Sequence, residues 1–137
     1  MSKNGCRNRI KRGQIYRVIP PGDPWIYRER LVLVVQNDIG NRFCPTIIVT
    51  PLIDDLKAKN LFFSVVIPAR RVEGLHQDQI ALLFQLFTLG REHFSPAHLV
   101  GSVPEDIMGK IDEGLKLSLG LSALQQLQSR FRRAQGG

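Results

Sequence analysis

Two cysteines, a single tryptophan and no long apolar run are what this 137-residue chain is short of. Cys6 and Cys44 are too few for a disulfide framework, so they read as free thiols in a reducing compartment. No apolar stretch approaches the roughly 18 residues needed to cross a bilayer, and no membrane partner is expected. The opening residues MSKNGCRNRIKR have no apolar segment behind their charges. A secretory signal is therefore not expected, and the reading is a cytoplasmic protein. There is no glycine-rich phosphate loop, no nucleophile elbow and no paired-carboxylate pattern. His93 and His98 stand five apart without cysteine company, and with His76 they read as surface histidines. Neither a metal nor another cofactor is expected.

What is present suits one domain with one core: ordinary length and a 43% hydrophobic content. The net charge of +7 is unevenly placed. Residues 1–30 hold eight Lys/Arg against Asp23 and Glu29, residues 31–121 hold eight against ten acids, and residues 122–137 hold three and no acid. The excess thus falls on the first strand, the loop after it and the two ends. Such a distribution attracts polyphosphates and favours a nucleic-acid partner.

The organising stretch is RLVLVVQNDIGNRFCPTIIV, residues 30–49. Residues 31–35 and 46–49 are apolar and rich in β-branched side chains, which pack well on a pleated surface. They are expected to pair as strands across a polar loop at 36–42, the first as a central strand covered on both faces. The second strand should continue to Ile53, with Pro51 marking an edge or a bulge. Further strands are expected at 15–19, at 62–67 and, as one long buried strand, at 79–89. Prolines 20, 21 and 24 forbid regular structure before Trp25, Tyr27 and Arg28, a cluster that either stacks bases or packs to pin its loop. Ser95-Pro96 reads as the start of one helical turn. Ser102 to Glu105 reads as a capping box, opening a helix with Ile107, Ile111, Leu115 and Leu119 on its apolar face, stopped by Gly120. Leu124, Leu127 and Phe131 could line one side of a further helix, with Arg130, Arg132 and Arg133 in its last turn.

The central motif, with Lys11-Arg12-Gly13-Gln14-Ile15-Tyr16 before it and Asp78-Gln79-Ile80-Ala81-Leu82-Leu83-Phe84-Gln85 and Lys110-Ile111-Asp112-Glu113 to Leu121 after it, resembles the MazF/PemK family of toxin endoribonucleases. The resemblance spans residues 10–121. It implies a mainly β fold with helices, an SH3-like barrel closed by a C-terminal helix, that dimerises through its sheet. It also implies metal-independent cleavage of single-stranded RNA and restraint by a cognate antitoxin. The chain then divides into a disordered basic tail (1–10), the toxin-like domain (11–121) and a basic helical extension (122–137).

RNA cleavage without metal needs a base for the 2′-OH, a cation for the charge developing on phosphorus oxygens, and an acid for the leaving oxygen. Arg30 falls on the family's catalytic arginine, although Leu31 replaces the proline usual at the next position. The bland alternative is an arginine closing an ion pair with Glu29 or a loop carboxylate. Lys11, Arg12, Arg28, Gln85 and Thr88 are the candidate nucleic-acid contacts. The family's proton-transfer positions are apolar here: a threonine falls on Ile53, an acid on Phe84, and arginines on Leu82 and Phe87. Thr50, three residues before Ile53, should point to the opposite face. Two readings stand: a toxin-type endoribonuclease of weakened activity, and a catalytically silent member that binds nucleic acid or protein.

Overall fold

β-branched and leucine side chains alternate between two faces in every long strand, so the sheet must be covered on both. The computed structural model describes residues 9–19 and 29–121. The basic tail at 1–8, the loop at 20–28 with Trp25 and Arg28, and the expected helix at 122–137 lie outside the described residues. Strands β1 (Gln14–Val18), β2 (Arg30–Val34), β3 (Thr46–Ile53), β4 (Ser64–Ile67), β5 (Gln79–Leu82), β6 (Phe87–Gly90) and β7 (Leu99–Ser102) form one antiparallel sheet. Its order is β4-β5-β3-β2-β1-β7, with β6 beside the first half of β3. Helix α1 (Asp38–Phe43) joins β2 to β3, and α2 (Glu105–Ser118) comes after β7.

One face of the sheet carries Ile15, Leu33, Leu52, Ala81 and Leu83 against Ile107, Ile111 and Leu115 of α2. The other carries Tyr16, Val32, Val34, Ile47 and Val49 under Leu89 and Phe94, with the Tyr16 and Phe94 rings edge to face at 5.2 Å. Burial pushes the Tyr16 hydroxyl up to about 12, and it donates to Gln14 Oε1 at 2.9 Å. Arg9 and Ile10, expected in the tail, are placed, and Ile10 is buried in the second core. β2 is the covered central strand that its apolar run implied. The result is a half-barrel sheet closed by a C-terminal helix.

Four local expectations are corrected. The polar stretch 36–42 is not a loop: Asn37 accepts the Gly40 N–H at 2.8 Å and caps α1, with Asp38 in its first turn and Arg42 in its last. The side chains that make turns also make N-caps, and the residues next in the chain decide between the two. The apolar run 79–89 is not one strand. Ala81 pairs with Leu52 and Phe87 with Val49, so residues 82–86 stand against residues 50–51; Leu82 and Leu83 stay buried, and the chain loops outward at Phe84 and Gln85. The cause is Pro51. Ile48 turns its carbonyl to β2, so by alternation Pro51 turns its missing N–H toward β5 and β6, and the ladder breaks there. Pro51 is therefore in an interior strand, and the irregularity it forces is in the neighbour. Finally, Ser102 ends β7 instead of capping α2. Val103 N–H donates to the Gly13 carbonyl at 2.8 Å, which holds the chain in the sheet, and Pro104 takes the cap position with no side-chain bond. Leu119 is exposed at the helix end, while Gly120, at φ +73°, does stop it.

Candidate nucleic-acid interface

Arg30 opens β2 at the sheet end where the chain returns from the loop at 20–28. It pairs with Val18, and the β2–β3 register, Leu31 opposite Leu52, brings Ile53 opposite Arg30 one step further on. Both therefore share the face that carries Val32 and Val34. Glu29, the carboxylate that would have neutralised Arg30, pairs instead with Arg17 at 3.3 Å. Among the described residues no ion pair engages Arg30, which is exposed at the first position of β2. An arginine so placed can bind phosphate oxygens through its planar fork and stabilise charge that develops on them.

No hydroxyl serves it from β3. Ile53 is half-buried against Ile80 and Leu82. Thr50 lies on the other face, fully buried, and its hydroxyl donates to the Leu82 carbonyl at 2.7 Å. That bond fills the gap that Pro51 leaves in the ladder, so Thr50 is a structural hydroxyl. Phe84, in the looped-out stretch, is 43% exposed, and Phe87 packs on the second core.

The remaining candidates are not gathered round Arg30. Gly13 N–H donates to the Val34 carbonyl, which sets Lys11 and Arg12 at the far end of β2, about 16 Å away along the strand. Lys11 is exposed. Arg12 is committed to protein: its Nε donates to the Val35 carbonyl at 2.8 Å and its guanidinium pairs with Asp112 at 2.7 Å. Gln85 is exposed in the looped-out stretch. Thr88 pairs with Ile48, so it stands on the face opposite to Arg30. Arg28 lies outside the described residues. His76 and His98 are exposed, and His93 is half-buried with Glu92 at 3.8 Å.

Sequence reasoning missed a buried polar knot beside this sheet. Asn41 Nδ2 donates to the Gln36 carbonyl at 2.8 Å and to Asp38 Oδ1 at 3.0 Å, while Asn41 Oδ1 accepts from Gln36 Nε2 at 3.2 Å. Gln36 Nε2 also reaches the Thr46 carbonyl at 3.0 Å, and Gln36 Oε1 accepts the Ile48 N–H at 3.2 Å. Arg91 closes the knot, its guanidinium donating to the carbonyls of Asn41 and Cys44 at 2.5 and 2.7 Å. Burial tends to raise the Asp38 carboxyl, but the Arg12 N–H, the Asn41 amide and the charges of Lys11 and Arg12 together hold it low. The signal available was two amides flanking a capping asparagine within a stretch that also has a buried glycine.

The fold is a small half-barrel sheet closed by a helix, the architecture of the SH3-like toxins, with an exposed arginine at one strand end. The chain belongs to the family described as PemK-like, MazF-like toxin of type II toxin-antitoxin system, whose model matches residues 11–119. It is 35% identical over 116 residues to endoribonuclease EndoA of Bacillus subtilis, covering 82% of this chain and 96% of that protein. It is 31% identical over 93 residues to endoribonuclease MazF of Staphylococcus epidermidis, covering 68% and 75% respectively. Among solved structures, a MazE–MazF complex from Deinococcus radiodurans aligns with a TM-score of 0.66 at 20% identity over 83% of this chain and 98% of that one. A mycobacterial endoribonuclease bound to its cognate antitoxin aligns with a TM-score of 0.64 at 24% identity, covering 82% and 95%. At those identities the structural matches speak for the fold.

Proposed function

We propose that this chain is the toxin of a type II toxin–antitoxin pair, cleaving single-stranded RNA in the cytoplasm without a metal, and restrained by a cognate antitoxin. The observation that carries the reading is the near-complete alignment with a bacterial endoribonuclease, supported by an exposed Arg30 where the resemblance puts the family's catalytic arginine. In this reading Arg30 stabilises the charge on the phosphorus oxygens in the transition state. Ile53 across the sheet cannot transfer a proton, so the chain is a slow enzyme. Lys11, Arg28, Gln85 and Thr88 remain proposed contacts; Arg12 acts within the protein. The test is cleavage of a defined single-stranded RNA by purified protein in chelator, with Arg30→Ala beside it. Cleavage that persists in Arg30→Ala overturns the assignment of Arg30.

A second copy belongs to the same proposal. Surplus apolar strand gives no reason for it, because Val32–Val35 and residues 79–83 are buried within one chain. Support comes instead from α1, where Ile39 and Phe43, one helical turn apart, are 76% and 73% exposed. Light scattering that reads a monomer at micromolar concentration removes the dimer from the proposal.

A further inference from the structure

A groove of about 570 Å³ lies between α2 and the start of β4. Phe62, Phe63 and Val65 make one wall, and Gly109, Gly114 and Leu117 make the other. Phe63 is held at φ +62°, a backbone conformation costly for a bulky residue, and its ring lies 6.0 Å from that of Phe62, itself 53% exposed. The two glycines differ in purpose. A Cβ at Gly114 would collide with Leu83 Cδ1, so that glycine lets α2 settle on the sheet. A Cβ at Gly109 would meet nothing within 4 Å. A mid-helix glycine costs about 1 kcal/mol relative to alanine, and nothing among the described residues accounts for this one.

The chain leaves α2 at the end of that groove. Gly120 takes the left-handed conformation and Leu121 N–H donates to the Lys116 carbonyl at 2.7 Å, which turns the backbone off the helix axis beside Leu117. Residues 122–137 come next, beyond the 11–119 span that the family model matches. In them Leu124, Leu127 and Phe131 recur at helical spacing. A helix over 122–133 would be about 18 Å long, and the groove face of α2 from Leu117 back to Asp106 is about 17 Å.

We propose that residues 122–137 fold back as a helix antiparallel to α2 and fill this groove. Leu124, Leu127 and Phe131 lie against Leu117, Phe62 and Phe63, and Gly109 admits the Phe131 end. The return brings Arg130, Arg132 and Arg133 to the start of α2, where Glu105 is exposed and Asp106 is bonded to Arg71 at 2.8 Å. An acidic helix start facing a basic helix end also opposes the two helix dipoles favourably. The extension is thus an internal strut, and its arginines are withheld from RNA. This packing does not depend on whether the chain cleaves RNA.

The test is disulfide trapping in the full-length chain with Cys6 and Cys44 changed to serine. Glu113→Cys, on the groove wall, is combined with Gln128→Cys, and Lys57→Cys with Gln128→Cys is the control. The expected result is oxidation of the first pair within one chain, at least ten times faster than the control and independent of protein concentration. A rate no faster than the control overturns the proposal, and so does a bond between two chains, which would place the segment on a second copy. Hydrogen exchange of full-length Phe131→Asp gives a second reading. Amides at 109–117 should exchange at least ten times faster while those at 32–35 are unchanged; unchanged exchange at 109–117 also overturns it.

Discussion

The Gln36–Asn41 knot and the Arg30 strand end are both polar interruptions of the same β2–β3 pair, and they behave oppositely. In the knot the amide groups of Gln36 and Asn41 are bonded and buried, and all the bonds are local to one corner of the sheet. At the other end one charged group stands exposed with apolar Ile53 across from it. Yet the knot, in the stretch QNDIGNRF, lies inside the central motif on which the family resemblance rests. The difference teaches that the specific part of a family motif can be architecture. A buried amide network tolerates no partial change, because each lost partner strands a desolvated group, whereas a reaction site can lose members and leave the fold intact.

The largest expected effect breaks the knot. Asn41→Ala strands the Gln36 backbone carbonyl and takes one of three partners from the Gln36 side-chain amide, and should cost about 3 kcal/mol of stability, lowering Tm by roughly 10 °C. Thermal unfolding monitored by circular dichroism checks this. Cleavage assayed below both transitions should stay within about twofold of the parent; a tenfold loss would show that the two regions are not separable.

Arg30→Ala should do the reverse. Removing a cation aimed at developing charge typically costs at least about 100-fold, near 2.7 kcal/mol in the barrier, while an exposed strand-end arginine contributes little to Tm. Because the parent is expected to be slow, the sharper version is Ile53→Thr. It returns a hydroxyl to the position opposite Arg30 and should raise cleavage by about tenfold, more than Phe84→Glu, at a stability cost of about 1 kcal/mol. Robust cleavage by the parent would sink this. Thr50 could not then be the substitute, since its buried hydroxyl is spent on Leu82, and alanine at Thr88 and the three histidines would identify the group.

The strands at 14–18, 30–34 and 46–53 were legible because branched side chains in alternating or continuous runs admit few other uses. Their partners were less so. Nothing in residues 79–89 marks the outward loop, because its cause, Pro51, lies in another strand, and the missing N–H matters only once the register is known. The helix at Asp38–Phe43 was hidden by residues equally suited to a turn. At the proposed site, Arg30 was singled out by motif and its exposed strand-end place agrees with that proposal, but the removal of Arg12 from the candidate contacts depends on Val35 and Asp112, the latter 100 residues away in sequence. The same contrast predicts how salt acts. Lys11→Ala should lower the log–log salt slope of RNA binding by about 0.7, whereas Arg12→Ala should leave the slope and lower Tm. Filter binding across a salt series separates the two.

The smallest effect concerns acid. Asp38, in the knot, and Asp106, forked to Arg71, both have carboxyls held below the ordinary value of 3.8. For Asp38 the cost of burial is outweighed by the Arg12 N–H and the Asn41 amide; for Asp106 the Arg71 hydrogen bond leads. A carboxyl whose value is lower in the folded than in the unfolded chain contributes stability that is complete above the unfolded value. The contribution is lost as pH falls through the folded one. Stability should therefore drop as pH falls below the ordinary carboxyl value of 3.8, and solvent screening keeps the share that belongs to Asp38 small. Asp38→Asn keeps an oxygen that can accept from Arg12 and Asn41 but cannot titrate. Its unfolding midpoint at pH 7 should match the parent closely, and its acid limb should be flatter. If the two acid limbs superimpose, the Asp38 charge contributes nothing to the knot, and only its hydrogen bonds do.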